Sequence, residues 1–315
     1  MTVPAIGIVG AGRTRQGLGP FLANWFEKCG ARISGIAGRD LARTRLAASA
    51  MSQQLGHPVA VFRSALELAE SVDALVVACP VEGHLAGLDA ALQAGIPCLC
   101  EKPLVASADA ALGLQRVAAF READQLLHEN CQWPFVLSAF DELFPGALQQ
   151  PIHSLAMRLS PALPGRAMVA DSLSHVLSLL QALVPLPNDA QLQSVSQTNP
   201  AIDATENLVQ FAVVSAIGKV TVQLNLQCCP QQPRPAWLAV NGDRLDRQLS
   251  AKYSISFRSR DGRVVNVQDP LQQLVYAFLG NLQAKSSERS IALDSIALRI
   301  RLYTELLAQL GPGVE

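Results

Sequence analysis

Lysine is scarce in this chain: the sequence has five, against twenty arginines, in 315 residues. One of them, Lys102, ends the apolar run PCLCEKP, between Glu101 and Pro103. An amine placed there can polarise or protonate a reacting heteroatom. The plainer alternative is a strand-end charge that only shapes the chain. A second stretch with chemical content is GIVGAGRTRQGLG, which sets Gly10 and Gly12 directly after an apolar run. Gly10 allows a tight turn, and Gly12 lets the backbone approach a pyrophosphate. A helix start behind them supplies N–H groups and the positive end of a dipole. Arg13 and Thr14 lie in the same loop and are read with the glycines as cofactor contacts. The third glycine of the dinucleotide fingerprint is displaced: position 15 is Arg, and glycine returns at 17 and 19. Without its context this could be any strand-to-helix turn.

The next apolar run ends in IAGRD. An NAD site usually carries an acidic residue there for the ribose hydroxyls. Here Gly38 takes the position and Arg39 follows, and a guanidinium suits a 2′-phosphate. NADP(H) is therefore favoured over NAD(H). The competing reading makes Arg39 a solvated helix-opening residue and Asp40 the acidic contact.

The elements that must position these residues alternate. Apolar runs at 5–10, 31–38, 58–62, 73–80 and 97–103 read as strands. Helical spacing fills 19–30, 39–56, 64–71, 82–95 and 107–124, with Ser64 and Ser107 as N-caps and glycine stops at 56 and 95. Residues 126–133 read as one more strand. Continuous apolar strands between helices are the signature of βαβ units. The fold class expected is α/β: a Rossmann-type doubly wound parallel sheet over 1–128, then an α+β domain over 129–315 with a mostly antiparallel open sheet. In that second part 152–161 alternates, and 168–184 is a helix stopped by Pro185 and Pro187. Six strand-like stretches between 191 and 268 are joined by turns such as SAIGK, VNGD and RDGR, giving about five or six antiparallel strands. Two helices close the chain. One sheet face is expected under helices. The other, carrying Val209, Phe211, Val213, Val220, Val222 and Leu224, is expected to be exposed.

The segment DALVVACPVEGHLAGLDAALQAGIPCLCEKPL (73–104) carries a more specific pattern: strand, Pro80, three residues, His84, helix, Gly95, strand, Glu101-Lys102-Pro103. It resembles the motif block of the glucose-fructose oxidoreductase/inositol dehydrogenase (Gfo/Idh/MocA) family, and a looser likeness extends over the whole length. The resemblance implies a nicotinamide-dependent oxidoreductase with the cofactor across the carboxyl ends of the first sheet and the substrate in the cleft between domains. It implies that Lys102 meets the nicotinamide ribose and the reacting atom, and that Pro80, His84 and Glu101 line the cofactor side. It also implies a second motif, Asp-x-x-x-His, opening a helix of the other domain and facing that lysine. The match is DSLSH, where Asp171 and His175 share one helical face by their i, i+4 spacing. The pair would orient a substrate hydroxyl and exchange its proton. Leu173 and Ser178 depart from the glycine and aspartate that the family often places around this motif. Gln132 and Trp133, just past the domain junction, are candidates for lining the substrate cleft or for a structural anchor.

Composition narrows the alternatives. Half the residues are hydrophobic and 16% are charged, which allows a sizeable core. The formal net charge of −1 offers no basic surplus for nucleic acid and no polybasic membrane anchor. The opening segment lacks the basic and long apolar regions of a secretory leader, and no apolar run reaches a bilayer span. Seven cysteines, several inside apolar runs, read as reduced core thiols of a cytoplasmic protein, with no second ligand cluster for a metal. The expected function is hydride transfer between NAD(P) and a carbonyl, hydroxyl or imine carbon of a small, sugar-like metabolite, by a homodimer or higher homo-oligomer. The rival is a non-catalytic NADP(H)-binding sensor or partner protein of the same fold. A third reading uses the nicotinamide transiently, with no net redox.

Overall fold

The short apolar runs of the first third pair side by side. In the computed structural model, which describes residues 3–10, 12, 17–250, 254–282 and 286–311, they form six parallel strands. These are β1 (Ala5–Val9), β2 (Arg32–Ala37), β3 (Ala60–Phe62), β4 (Ala74–Val77), β5 (Cys98–Cys100) and β6 (Leu127–Glu129). Their order is β3-β2-β1-β4-β5-β6, so the chain reverses direction across the sheet between β1 and β4. Ligands of open parallel sheets bind outside the carboxyl ends at such a point. The intervening helices are α1 (Gly19–Lys28), α2 (Leu41–Leu55), α3 (Ala65–Ala69), α4 (His84–Ala94) and α5 (Ala110–Glu122). Local signals set their ends. Asp40 Oδ1 accepts from the Arg43 N–H at 3.0 Å to cap α2, and Ser64 Oγ accepts from Glu67 N–H at 3.1 Å to cap α3. Gly56 and Gly95 stop α2 and α4 in the left-handed region, at φ 77° and 71°. Ser107 begins a 3₁₀ turn ahead of α5 instead of capping it.

The chain divides into two compact units: Met1–Asn130 with Leu271–Ile300, and Cys131–Pro270 with Arg301–Glu315. A second domain running unbroken over 129–315 is not what forms, since residues 271–300 return to the first unit. The reason is an apolar stripe. Leu293, Ile296 and Ile300 of α9 (Ser286–Gln309) enter the core formed by α4, α5 and the sheet. Phe278 of α8 (Pro270–Asn281) meets Phe26 of α1 edge-on, with ring centroids 6.0 Å apart.

The second unit holds α6 (Leu137–Leu143), α7 (Gly165–Leu183) and a sheet of eight strands. The strands are β7 (Ser154–Leu159), β8 (Gln191–Gln197), β9 (Glu206–Ser215), β10 (Gly218–Gln227), β11 (Trp237–Val240), β12 (Asp243–Leu249), β13 (Ile255–Ser259) and β14 (Val264–Val267), in the order β14-β13-β12-β11-β7-β10-β9-β8. The sheet is larger than the sequence suggested because the alternating segment at 152–161 joins its centre as β7 and the polar segment DRLDRQL adds β12. There β7 pairs in parallel with β10 and antiparallel with β11.

The expected exposed apolar face is a correction. Val209, Phe211, Val213, Val220, Val222 and Leu224 are all buried, the most accessible at 4%. The helix α7 packs against β7, β9 and β10 and covers them. The open face carries the alternate residues instead, such as Gln210, Thr221, Gln223, Arg158 and Trp237 with Arg244 stacked 4.3 Å over its ring.

Candidate active site

The expected residues are divided between the two units. In the first, β1 runs into Gly10 at φ +88°, and its N–H donates to the Ala37 carbonyl at 2.9 Å. A Cβ on Gly10 would stand 2.5 Å from the backbone of Cys79, at the exit of β4. Glycine is therefore required for these two strand ends to lie together. Among the described residues, a Cβ on Gly12 would meet nothing within 4 Å. No described side chain caps the N-terminus of α1 beyond that loop. Arg13 and Thr14 lie outside the described residues. At the end of β2, Gly38 owes its identity to packing, since a Cβ there would be 2.6 Å from Thr44 Oγ1. Arg39 is exposed, and its charge reaches Cys79, where it lowers a thiol pKa that burial raises. Asp40 is already occupied as the cap of α2. A turn that a side chain would fill, at the carboxyl end of β1 ahead of a helix N-terminus, fits the pyrophosphate of a dinucleotide.

Pro80 leads from β4 into a 3₁₀ turn and α4. His84 opens that helix 1% exposed, so it is a brace and not a lining group. Its Nε2 lies 2.9 Å from the Cys79 carbonyl oxygen, and its Nδ1 lies 3.1 Å and 3.2 Å from those of Pro103 and Leu104. Burial pulls its pKa down, opposed by those three carbonyls and by Glu129. Lys102 follows β5, half-buried, in the segment these contacts hold. From the other side Glu129 Oε1 accepts from the Leu104 N–H at 3.1 Å, and its Oε2 accepts from Arg299 Nε at 2.6 Å. Asn130 N–H donates to the Cys100 carbonyl at 2.7 Å, and its side-chain amide donates to Glu101. The sequence reading passed over Glu129, Asn130 and Arg299. The available signal was a pair of polar residues at the end of an apolar strand, and an arginine on the apolar stripe of a helix.

In the second unit α7 starts at Gly165, whose N–H donates to the Ala204 carbonyl at 2.8 Å. Asp171 and His175 consequently lie inside the helix and do not open it. Asp171 is exposed and His175 half-buried, with Leu173 buried between them. Ser178 Oγ donates back to the His175 carbonyl at 2.9 Å, a bond within the helix. Gln132 is half-buried and Trp133 is 7% exposed, in a turn packed on α7. Arg247 lies 5.7 Å over the Trp133 ring. The sequence reading did not single out Arg247.

Residues 5–130 match the profile of an oxidoreductase family with an NAD-binding Rossmann fold. Over that segment the chain is similar to the Gfo/Idh/MocA oxidoreductases. It is 29% identical to inositol 2-dehydrogenase of Rhodococcus erythropolis over 190 residues, covering 56% of this chain and 50% of that enzyme's length. It is 29% identical to inositol 2-dehydrogenase 4 of Saccharopolyspora erythraea over 240 residues, covering 71% of this chain and 67% of that enzyme. The fold extends over the whole length. UDP-N-acetylglucosamine 3-dehydrogenase GnnA from Acidithiobacillus ferrooxidans superposes with a TM-score of 0.69 at 18% identity, covering 98% of each chain. Among the described residues no helix is long and apolar enough to cross a membrane.

Proposed function

We propose that the chain is an NADP(H)-dependent oxidoreductase acting on a carbonyl, hydroxyl or imine carbon of a small, sugar- or polyol-like metabolite. The observation that carries this reading is the fixed segment Glu101–Leu104, held by His84, Glu129 and Asn130 on the sheet edge that also presents Gly10, Gly12 and Arg39. The nicotinamide supplies or accepts the hydride. Gly10 and Gly12 accommodate the pyrophosphate, and Arg39 takes the 2′-phosphate, since Asp40 is engaged as a helix cap. Lys102 polarises or protonates the reacting heteroatom. His175 exchanges a substrate proton, and Asp171 orients the substrate hydroxyl. The dehydrogenase relatives named above support the polyol class. A homodimer or higher assembly through the polar open face of the eight-stranded sheet completes the proposal.

The test is spectrophotometric. NADPH oxidation with ketoses and inosose-type carbonyls, or NADP⁺ reduction with the matching polyols, is expected in the wild type. NADPH binding with no turnover on any of them would favour the sensor reading.

A further inference from the structure

The covered face of the eight-stranded sheet is largely apolar, yet it carries an arginine on β12. Leu245 and Arg247 lie on the same side of β12, and Arg247 stands opposite the fully buried Phe257 of β13. A guanidinium is out of place there unless something balances its charge. Arg247 Nη2 donates to the Arg234 carbonyl at 2.9 Å, and its plane lies over Trp133. Arg234, from the β10–β11 connection, contributes a second positive charge. Its Nη2 reaches the Pro230 carbonyl at 3.5 Å, while its Nε is buried with no acceptor among the described residues. Burial and the neighbouring Arg234 charge both pull the Arg247 pKa down. Two guanidiniums of like charge, a buried N–H with no acceptor among the described residues, and an aromatic floor share this corner. Both side chains are only partly buried, so a ligand can reach them. The Trp133 turn packs on α7, and Cys131 Sγ lies 3.9 Å from the Ser174 carbonyl, next to His175 in sequence.

We propose that Arg234 and Arg247 form an oxyanion-binding site that takes a carboxylate or phosphate carried by the substrate. Paired guanidiniums match the planar or tetrahedral oxygens of such groups, and Trp133 holds Arg247 in orientation. Making the anion part of the substrate rests on the oxidoreductase reading; the site itself does not. The class of metabolite is thereby narrowed to acidic or phosphorylated ones.

The experiment is calorimetric titration of NADPH-saturated protein with malonate, with pyrophosphate, and with uncharged malonamide. Saturation with NADPH keeps the cofactor's own phosphate contacts occupied. Wild type is expected to bind malonate or pyrophosphate, the better one identifying carboxylate or phosphate, and to ignore malonamide. Arg234→Gln and Arg247→Gln should each lower that affinity at least tenfold, with NADPH affinity unchanged. Arg247→Lys retains the charge and serves if the glutamine variant fails to fold. Absence of binding by both anions in the wild type, or equal affinity in the variants, overturns the proposal and leaves the redox reading standing. Loss of NADPH binding alone would instead sink the redox reading.

Discussion

His84 and Pro103 meet across the end of the parallel sheet, with Nδ1 of the imidazole 3.1 Å from the proline carbonyl oxygen. The same ring reaches Cys79 at 2.9 Å, so one buried side chain joins the exit of β4 to the peptide after Lys102. His84→Ala should remove this brace and cost about 1–3 kcal/mol, the usual penalty for stranding buried polar partners. The lysine would then lose its position while the phosphate-binding end of the site keeps its own. Urea unfolding should report the destabilisation. Steady-state kinetics should show kcat falling about tenfold or more while NADPH affinity holds within about threefold.

Stability should fall in acid for an identifiable reason. Burial pulls the pKa of His128 down to about 4, against about 6.5 for an ordinary histidine. Between those values the unfolded chain binds a proton that the native state refuses. Stability is therefore complete above about pH 6.5 and lost as the pH falls through about 4. The difference, 6.5 − 4, corresponds to about 3 kcal/mol. His84 is shifted in the same direction. His128→Gln should reduce the loss between pH 7 and 4.5 by about 2 kcal/mol, as measured by urea denaturation at both pH values.

The two loop glycines should separate folding from binding. Gly10→Ala forces a side chain into the Cys79 backbone at φ +88° and should destabilise the protein by about 2 kcal/mol or more. Gly12→Ala places its methyl where no described atom lies within 4 Å, so the melting temperature should stay within about 1 °C while NADPH affinity drops about tenfold. Calorimetry and fluorescence titration of both variants would show whether the split occurs.

Much of this architecture is legible in the residues themselves. Runs such as ALVV and AIGIV are buried on both faces and announce parallel strands, and Gly56, Gly95, Asp40 and Ser64 mark helix ends by local chemistry. Contacts made at long range are not legible. Nothing near Arg299 in sequence points to Glu129, 170 residues away, and Leu293 looks like any helix residue until the first unit's core receives it. The face of β9 and β10 was misjudged for the same reason. Alternation identifies an apolar face, but it cannot say that α7 will cover it. The glycine-rich loop was read from its first two glycines, and its middle residues Arg13 and Thr14 fall outside the described residues.

Cofactor choice should turn on Arg39. Replacing it with Asp removes an exposed cation just past β2 and adds a charge that repels a 2′-phosphate. Arg39→Asp should weaken NADPH at least tenfold and leave NADH unchanged or tighter, as read by fluorescence titration with each nucleotide. Equal losses for both would assign Arg39 to the helix opening instead.

Lys102 tests the chemistry most directly. The measurement is the single-turnover rate of nicotinamide absorbance change in Lys102→Met, with a substrate on which the wild type turns over and with cofactor binding checked in the same sample. The expected result is a rate lowered at least about a hundredfold at undiminished NADPH affinity, because the donor to the reacting heteroatom is gone while the phosphate contacts remain. A wild-type rate in Lys102→Met would contradict the assignment of Lys102 to that step.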